Sequence, residues 1–279
     1  MTQPKTDQAE LLDEAFEFLK DRLPQNFIPR VTVTVGSGLG DLVASAEVLT
    51  SIPYSEIPGF VLPNVEGHSG QLIAANIEKK PVLFLSGRMH FYEGFSMAQV
   101  TFPARLAARL GTRILLLTSA VGSVRLAIKV GSLVVIADHI NFMGTNPLRG
   151  LHDASFGQRF PDMSGCYAPE LVSLALKLAA KNKIAARKGH YFAFSGPSYE
   201  TPLEIKMAAR LGGDVVGMSV VPEAIVAHQM GVKVLALSYV ANHAAGISKV
   251  KLSHQDVLKS GKAVGKKLSQ LIHDIVQEA

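Results

Sequence analysis

Cysteine is almost missing from this sequence: Cys166 is the only one in 279 residues, so no disulfide can close within the chain and nothing in its composition points to an oxidising compartment. No His or Cys motif flanks it, so it reads as a small buried hydrophobe and not as a nucleophile. Long apolar runs are missing too. The longest has five residues, Leu133 to Ala137, against the roughly 20 that a membrane-crossing helix needs. The opening stretch is acidic and amphipathic, without the basic start and apolar run of an export signal, so the expectation is a cytoplasmic protein. H-E-x-x-H and paired Cys/His spacings do not occur, and neither does the G-x-S-x-G turn of serine hydrolases, so no metal site is expected. Charged residues make up only 18%. The net charge of +5 is spread along the chain, and its densest patch, Lys249 to Lys267, suits a solvated helix face better than nucleic acid. A small anionic substrate fits such a field equally well.

What is present is an alternation of short apolar runs and helical patterns. After an amphipathic helix with Leu11, Leu12, Ala15, Phe16 and Leu19 on one face, strands are predicted at Val31–Val35, Gln71–Ile77, Val82–Leu85, Ile114–Thr118, Leu133–Ala137, Tyr191–Phe194, Val215–Met218 and Val232–Ser238. Helices are predicted at Met97–Leu110, Pro169–Lys181, Thr201–Leu211, Pro222–Met230 and Leu252–Glu278, three of them stopped by Gly111, Gly212 and Gly231. The pattern is that of an α/β protein with a central sheet, in one domain over residues 1–279, with the segment 1–27 packed on it as a helix. Residues 141 to 168, rich in Gly, Pro and Asn, form a loop long enough to be functional.

Five stretches carry groups that could do chemistry, and each also has a plainer reading. The turn Gly36-Ser37-Gly38-Leu39-Gly40 has Asp41 where a dinucleotide fingerprint needs glycine, and no Gly-Lys-Ser/Thr follows. It offers backbone N–H groups and the Ser37 hydroxyl to an anion, or is simply a tight turn. In Ser86 to Gly94, extended backbone would put Arg88, His90 and Tyr92 on one face, as an anion site or as a polar edge facing water. Ser219 precedes a helix, which it could cap or where it could join the free N–H groups in binding an oxyanion. Tyr199, Glu200 and Asn242 supply an aromatic face, a carboxylate and an amide suited to a planar heterocycle, although Glu200 could merely open a helix and Asn242 serve a turn.

Taken in order, GSGLG, VEGHSG, GRMHFYEG, DHINF with NPLRG, SFGQRFPDMS, GPSYET, GMSVVPEAIVA, the Asn242 turn and LSHQDVL resemble the trimeric purine nucleoside phosphorylase family over roughly residues 28 to 275. The resemblance implies a mixed, twisted central sheet flanked by helices and the phosphorolysis of 6-oxopurine nucleosides without metal or organic cofactor, phosphate being a co-substrate. It implies phosphate held by Ser37, His68, Arg88, His90, Ala120 and Ser219, and ribose against Tyr92, Met218 and His254. Phe156 would come from a neighbouring subunit of a homotrimer, and the base would lie on Tyr199 and Val216, with Glu200 and Asn242 at its edge. Asn242, Glu200 and His90 are the expected catalytic groups. The chain departs from the family's pattern at Ser119 and Ser123, usually Asn and Gly, at Ala241, usually Thr, and at Tyr199, usually Phe. The tract GGDVVGMSVVPE resembles the bacterial xanthosine-accepting branch, which has a Tyr near the base where this chain has Phe194. Rival expectations are a nucleoside hydrolase, a methylthioadenosine phosphorylase and a nucleoside-binding module without turnover.

Overall fold

The computed structural model describes residues 7–36, 40–64, 69–150, 152–248 and 254–279, with the backbone alone for 254–259. Its sheet is built from β1 (Val31–Val35), β2 (Glu47–Pro53), β3 (Gln71–Ile77), β4 (Lys80–Ser86), β5 (Ile114–Ser123), β6 (Leu133–Asn141), β7 (Ala186–Ala193), β8 (Val215–Gly217) and β9 (Lys233–His243). The helices are α1 (Asp7–Lys20), α2 (Gly40–Ala44), α3 (Met97–Arg109), α4 (Pro169–Lys181), α5 (Pro202–Arg210), α6 (Val221–Gln229) and α7 (His254–Glu278). All five residues of β1 are buried, as its β-branched run requires of a strand covered on both faces. The α1 helix turns Ala9, Leu12, Ala15 and Leu19 inward, onto a cluster that includes Leu106 and Leu110 at the end of α3.

The nine strands run in the order β2-β3-β4-β1-β5-β8-β7-β6-β9, with parallel and antiparallel pairs mixed. One further pairing changes the architecture: β9 also runs parallel to β5 over most of their length. Strands β5, β8, β7, β6 and β9 therefore close on one another as a small barrel, and β1 to β4 extend from it as an open sheet. Sequence patterning finds eight of the nine strands but not this closure, because closure depends on which edges meet. The short β8 meets β5 only at its last two residues, beside a bulge in β9 where Ala241 is the extra residue between the pairs Val121–Val240 and Gly122–Asn242. That bulge re-aims the strand ends at the mouth of the barrel.

Two local expectations are corrected. The extended run predicted for residues 88 to 92 stops at Ser86: Gly87 has φ +125 and Phe91–Glu93 forms a 3-10 turn, so Arg88, His90 and Tyr92 do not share a strand face. Thr201 is not the first residue of α5 but its N-cap, accepting from the Glu204 N–H while Glu204 returns a bond to the Thr201 N–H. The strand β2 was not anticipated, because its residues are mostly exposed and show no apolar alternation.

Candidate active site

Arg88 follows β4 and is 5% exposed. Its Nε donates to Glu223 Oε2 at 2.8 Å and its Nη1 to the Thr118 carbonyl at 2.7 Å. Thr118 lies in the middle of β5 and Glu223 in the first turn of α6, so one guanidinium ties the end of β4 to both. Pairing a buried arginine with a buried carboxylate offsets part of the cost of taking either from water, which each would carry in full if left alone.

His90 stands two residues on. Glu93 Oε1 accepts from the His90 backbone N–H at 2.8 Å and lies 2.9 Å from Nδ1, while Glu93 Oε2 accepts from the Asn64 N–H at 2.7 Å. Burial lowers the His90 pKa against the opposing pull of the Glu93 hydrogen bond, which keeps the ring neutral near pH 7 with its proton on the nitrogen facing Glu93. Burial acts to raise Glu93, but the bonds from His90 and Asn64 outweigh it and hold the carboxyl below its ordinary value. The rings of His90 and Tyr92 stack, with centroids 4.7 Å apart and planes 17° from parallel. Burial, helped by the Glu93 charge, pushes the Tyr92 phenol up to about 12, so it stays protonated.

Ser219 sits between β8 and α6 and does not cap the helix. Its N–H donates to the Tyr191 hydroxyl at 3.2 Å, and its Oγ lies 3.4 Å from the same oxygen. Tyr191 is fully buried and presses so closely on Gly217 that no Cβ would fit there. The helix cap position falls on Val220 at φ +65, a rare conformation for a β-branched residue and a sign that this turn is held under strain.

Gly122 of β5 brings Asn242 and Val216 together: a Cβ at Gly122 would lie 3.1 Å from Asn242 Oδ1 and 3.2 Å from Val216 Cγ2. Asn242 is thus the end of a strand and not a turn. Gly196, at φ +68, does the same for Met218 and Tyr92, its Cβ position lying 2.5 Å from Met218 Sδ and 3.4 Å from Tyr92 Cβ. Glu200 is 8% exposed, and burial raises its pKa. Tyr199 beside it is exposed.

Contacts therefore join Arg88 to β5 and α6, Ser219 to β7, Asn242 and Val216 to Gly122 of β5, and Tyr92 and Met218 to Gly196. Ser37 and His68 lie outside the described residues, and His254 is described by backbone only, at the start of α7. Phe156 does not fit the expected placement. It is 8% exposed and covered by its own chain, with the Arg105 guanidinium carbon 4.2 Å from its ring centre, so it is not presented to a neighbour. Four residues later Phe160 is 85% exposed. Sequence reasoning missed Glu223 and Glu93, whose only signals were a Val-Pro-Glu helix start and a carboxylate three residues after a histidine. It also missed Tyr191, for which a strand pattern gives no signal. The departure at Ser119 is absorbed inside the barrel, where Ser119 Oγ pairs with Ser238 Oγ at 2.8 Å across β5 and β9.

A family model described as Phosphorylase superfamily matches residues 30–277. The chain is 45% identical over 267 residues to purine nucleoside phosphorylase 1 of Bacillus subtilis, covering 96% of this chain and 98% of that protein. Among solved structures it is similar to Schistosoma mansoni purine nucleoside phosphorylase in complex with inosine, at a TM-score of 0.90 and 33% identity over 97% of this chain and 96% of that one. The complex of the Schistosoma mansoni enzyme with adenosine gives a TM-score of 0.89 at 33% identity, covering 96% and 97%.

Proposed function

The chain belongs to the phosphorylase superfamily, and from that premise we propose that it is a purine nucleoside phosphorylase that converts 6-oxopurine ribonucleosides and phosphate into free base and ribose 1-phosphate, and back. The observation that carries this reading is the Arg88 guanidinium, bridged between Glu223 and the Thr118 carbonyl beside the strained Ser219–Val220 turn. A hydrolase that uses water has no need of such an anion seat.

Phosphate would lie among Arg88, His90, the Ala120 backbone and Ser219, joined by Ser37 and His68. The neutral His90 offers its second ring nitrogen as an acceptor, which matches the O–H of hydrogenphosphate. Ribose would lie against Tyr92, Met218 and His254, and the base against Tyr199 and Val216. Phosphate attacks the anomeric carbon as the glycosidic bond breaks through an oxocarbenium-like state, and negative charge gathers on the departing purine. Asn242 donates to N7, a bond that strengthens as that charge grows. Glu200 accepts from N1–H of a 6-oxopurine. Adenine presents a lone pair at N1, which leaves the buried carboxylate opposed, so adenosine is expected to turn over poorly even where it binds. The reaction calls for no metal or organic cofactor.

The proposed assembly is a homotrimer in which a neighbouring chain closes the ribose side of the pocket. The ring it lends would be Phe160, since Phe156 is enclosed by its own chain. No described helix is long and apolar enough to cross a membrane, and the proposed place of action is the cytoplasm.

The test is release of free base from inosine, guanosine, xanthosine and adenosine, each with and without inorganic phosphate. Phosphate-dependent release from the 6-oxopurine nucleosides, with adenosine far slower, is the expected result. Release without phosphate would make the protein a hydrolase, and binding without release would make it a nucleoside-binding module. Xanthosine turnover would show that Phe194, buried with Phe192 at a ring distance of 5.0 Å, suffices without the phenol of the xanthosine-accepting branch.

A further inference from the structure

The segment 153–162 has one 3-10 turn, Ala154–Phe156, and otherwise no regular structure, yet it is tied at two points to the end of α6, while Arg159 Nη1 donates to the Leu148 carbonyl. Gln229 Nε2 donates to the Gln158 carbonyl at 2.9 Å, and His228 Nε2 donates to the Asp162 carbonyl at 2.8 Å. Gly157, at φ +98, lies so close to the Gln229 carbonyl that no side chain would fit. Gln229 is itself held from below: Nη1 and Nη2 of Arg105 both donate to its Oε1 at 3.2 Å. Arg105 comes from α3, is 2% exposed, covers the Phe156 ring and leaves its Nε without a hydrogen-bond partner.

The Asp153 carboxylate at the head of the same segment acts on this guanidinium as well as the Gln229 amide, yet an aliphatic side chain would pack the same space without desolvating a charge. What the arginine supplies is direction: two fixed N–H groups orient the Gln229 amide, and the amide fixes the Gln158 carbonyl, two residues before the exposed Phe160. We propose that Arg105 and Gln229 form a positioning relay that sets where Phe160 stands for the nucleoside pocket of a neighbouring chain. This inference rests on the proposed role of Phe160. Neither Arg105 nor Gln229 touches substrate in it, so the relay acts on nucleoside binding and leaves phosphate alone.

The experiment is steady-state kinetics on the full-length oligomer for Gln229→Leu, Phe160→Ala and the double variant, varying inosine and phosphate separately. Gln229→Leu is expected to raise KM for inosine about tenfold, the order of loss that a misplaced positioning group causes, with KM for phosphate unchanged. In the Phe160→Ala background it is expected to add nothing. An unchanged inosine KM in an intact oligomer, or an effect that adds fully to that of Phe160→Ala, would overturn the relay. If Gln229→Leu does not fold, Arg105→Lys, which keeps the charge and loses the two-pronged hold on Gln229 Oε1, decides it: a raised inosine KM coupled to Phe160 supports the relay, and a wild-type KM overturns it. Phe160→Ala with wild-type inosine KM would remove the role of Phe160 and the relay together, whereas a silent Gln229→Leu beside a damaging Phe160→Ala removes the relay alone.

Discussion

Glu200 carries an opposition between stability and function that can be read at the level of one carboxyl. Burial raises its pKa above that of an exposed glutamate, so the neutral acid is favoured, yet accepting from N1–H requires the ionised form. Inosine kcat/KM is therefore expected to fall as pH drops through this raised value, above the roughly 4.3 of an ordinary glutamate. A pH profile of wild type against Glu200→Gln checks this, the variant losing that acid limb. The sign for stability is opposite: the contribution of the neutral form is complete below the unfolded pKa and is lost as pH rises through the folded one. Glu200→Ala is expected to lower inosine kcat/KM by about 10–100-fold, the cost of leaving a buried donor on the base unpaired. Glu200→Gln, whose amide both donates and accepts, should narrow the gap between inosine and adenosine.

At the scale of elements, the strand-to-helix passage from β8 to α6 concentrates the strain of the site. A methyl at Gly217 would collide with Tyr191, which is fully buried and has no room to retreat. Gly217→Ala is expected to cost about 1–3 kcal/mol of stability by overpacking and to raise KM for phosphate by displacing Ser219. Thermal unfolding and phosphate titration read the two effects, and adding Tyr191→Phe should relieve part of the first. This passage also marks where the sequence was legible. The run Val215-Val216-Gly217 before Pro222 identified a strand followed by a helix, and the position of Ser219 between them, from local patterning alone. That Ser219 bonds to Tyr191, 28 positions earlier, and not to its own helix depends on β7 lying beside β8, a long-range fact. Arg88 was likewise visible as a cation near a strand end, while its partner Glu223, 135 positions away, was not. The error at Phe156 has the same origin: two phenylalanines four residues apart look alike in a glycine-rich loop, and only packing under Arg105 tells the buried one from the exposed one.

For the whole molecule, the proposed trimer predicts a sedimentation mass of three chains of 29.9 kDa each. It also predicts that specific activity falls on dilution into the range where chains separate, since each nucleoside pocket would lose its borrowed ring. A monomer with undiminished activity at every concentration would refute shared sites. The chain carries a net charge of +5, which draws anions from a distance, but Arg88, at the proposed phosphate seat, is already neutralised by Glu223 at 2.8 Å. Attraction and grip are thereby separated: the long-range field brings phosphate in, while the local hold comes from aligned donors with little net charge behind them. A catalyst that runs in both directions must release a dianion at the end of every turnover, as phosphate or as sugar phosphate, and with phosphate seated as proposed the Arg88–Glu223 pair would trade depth of binding for speed of exit.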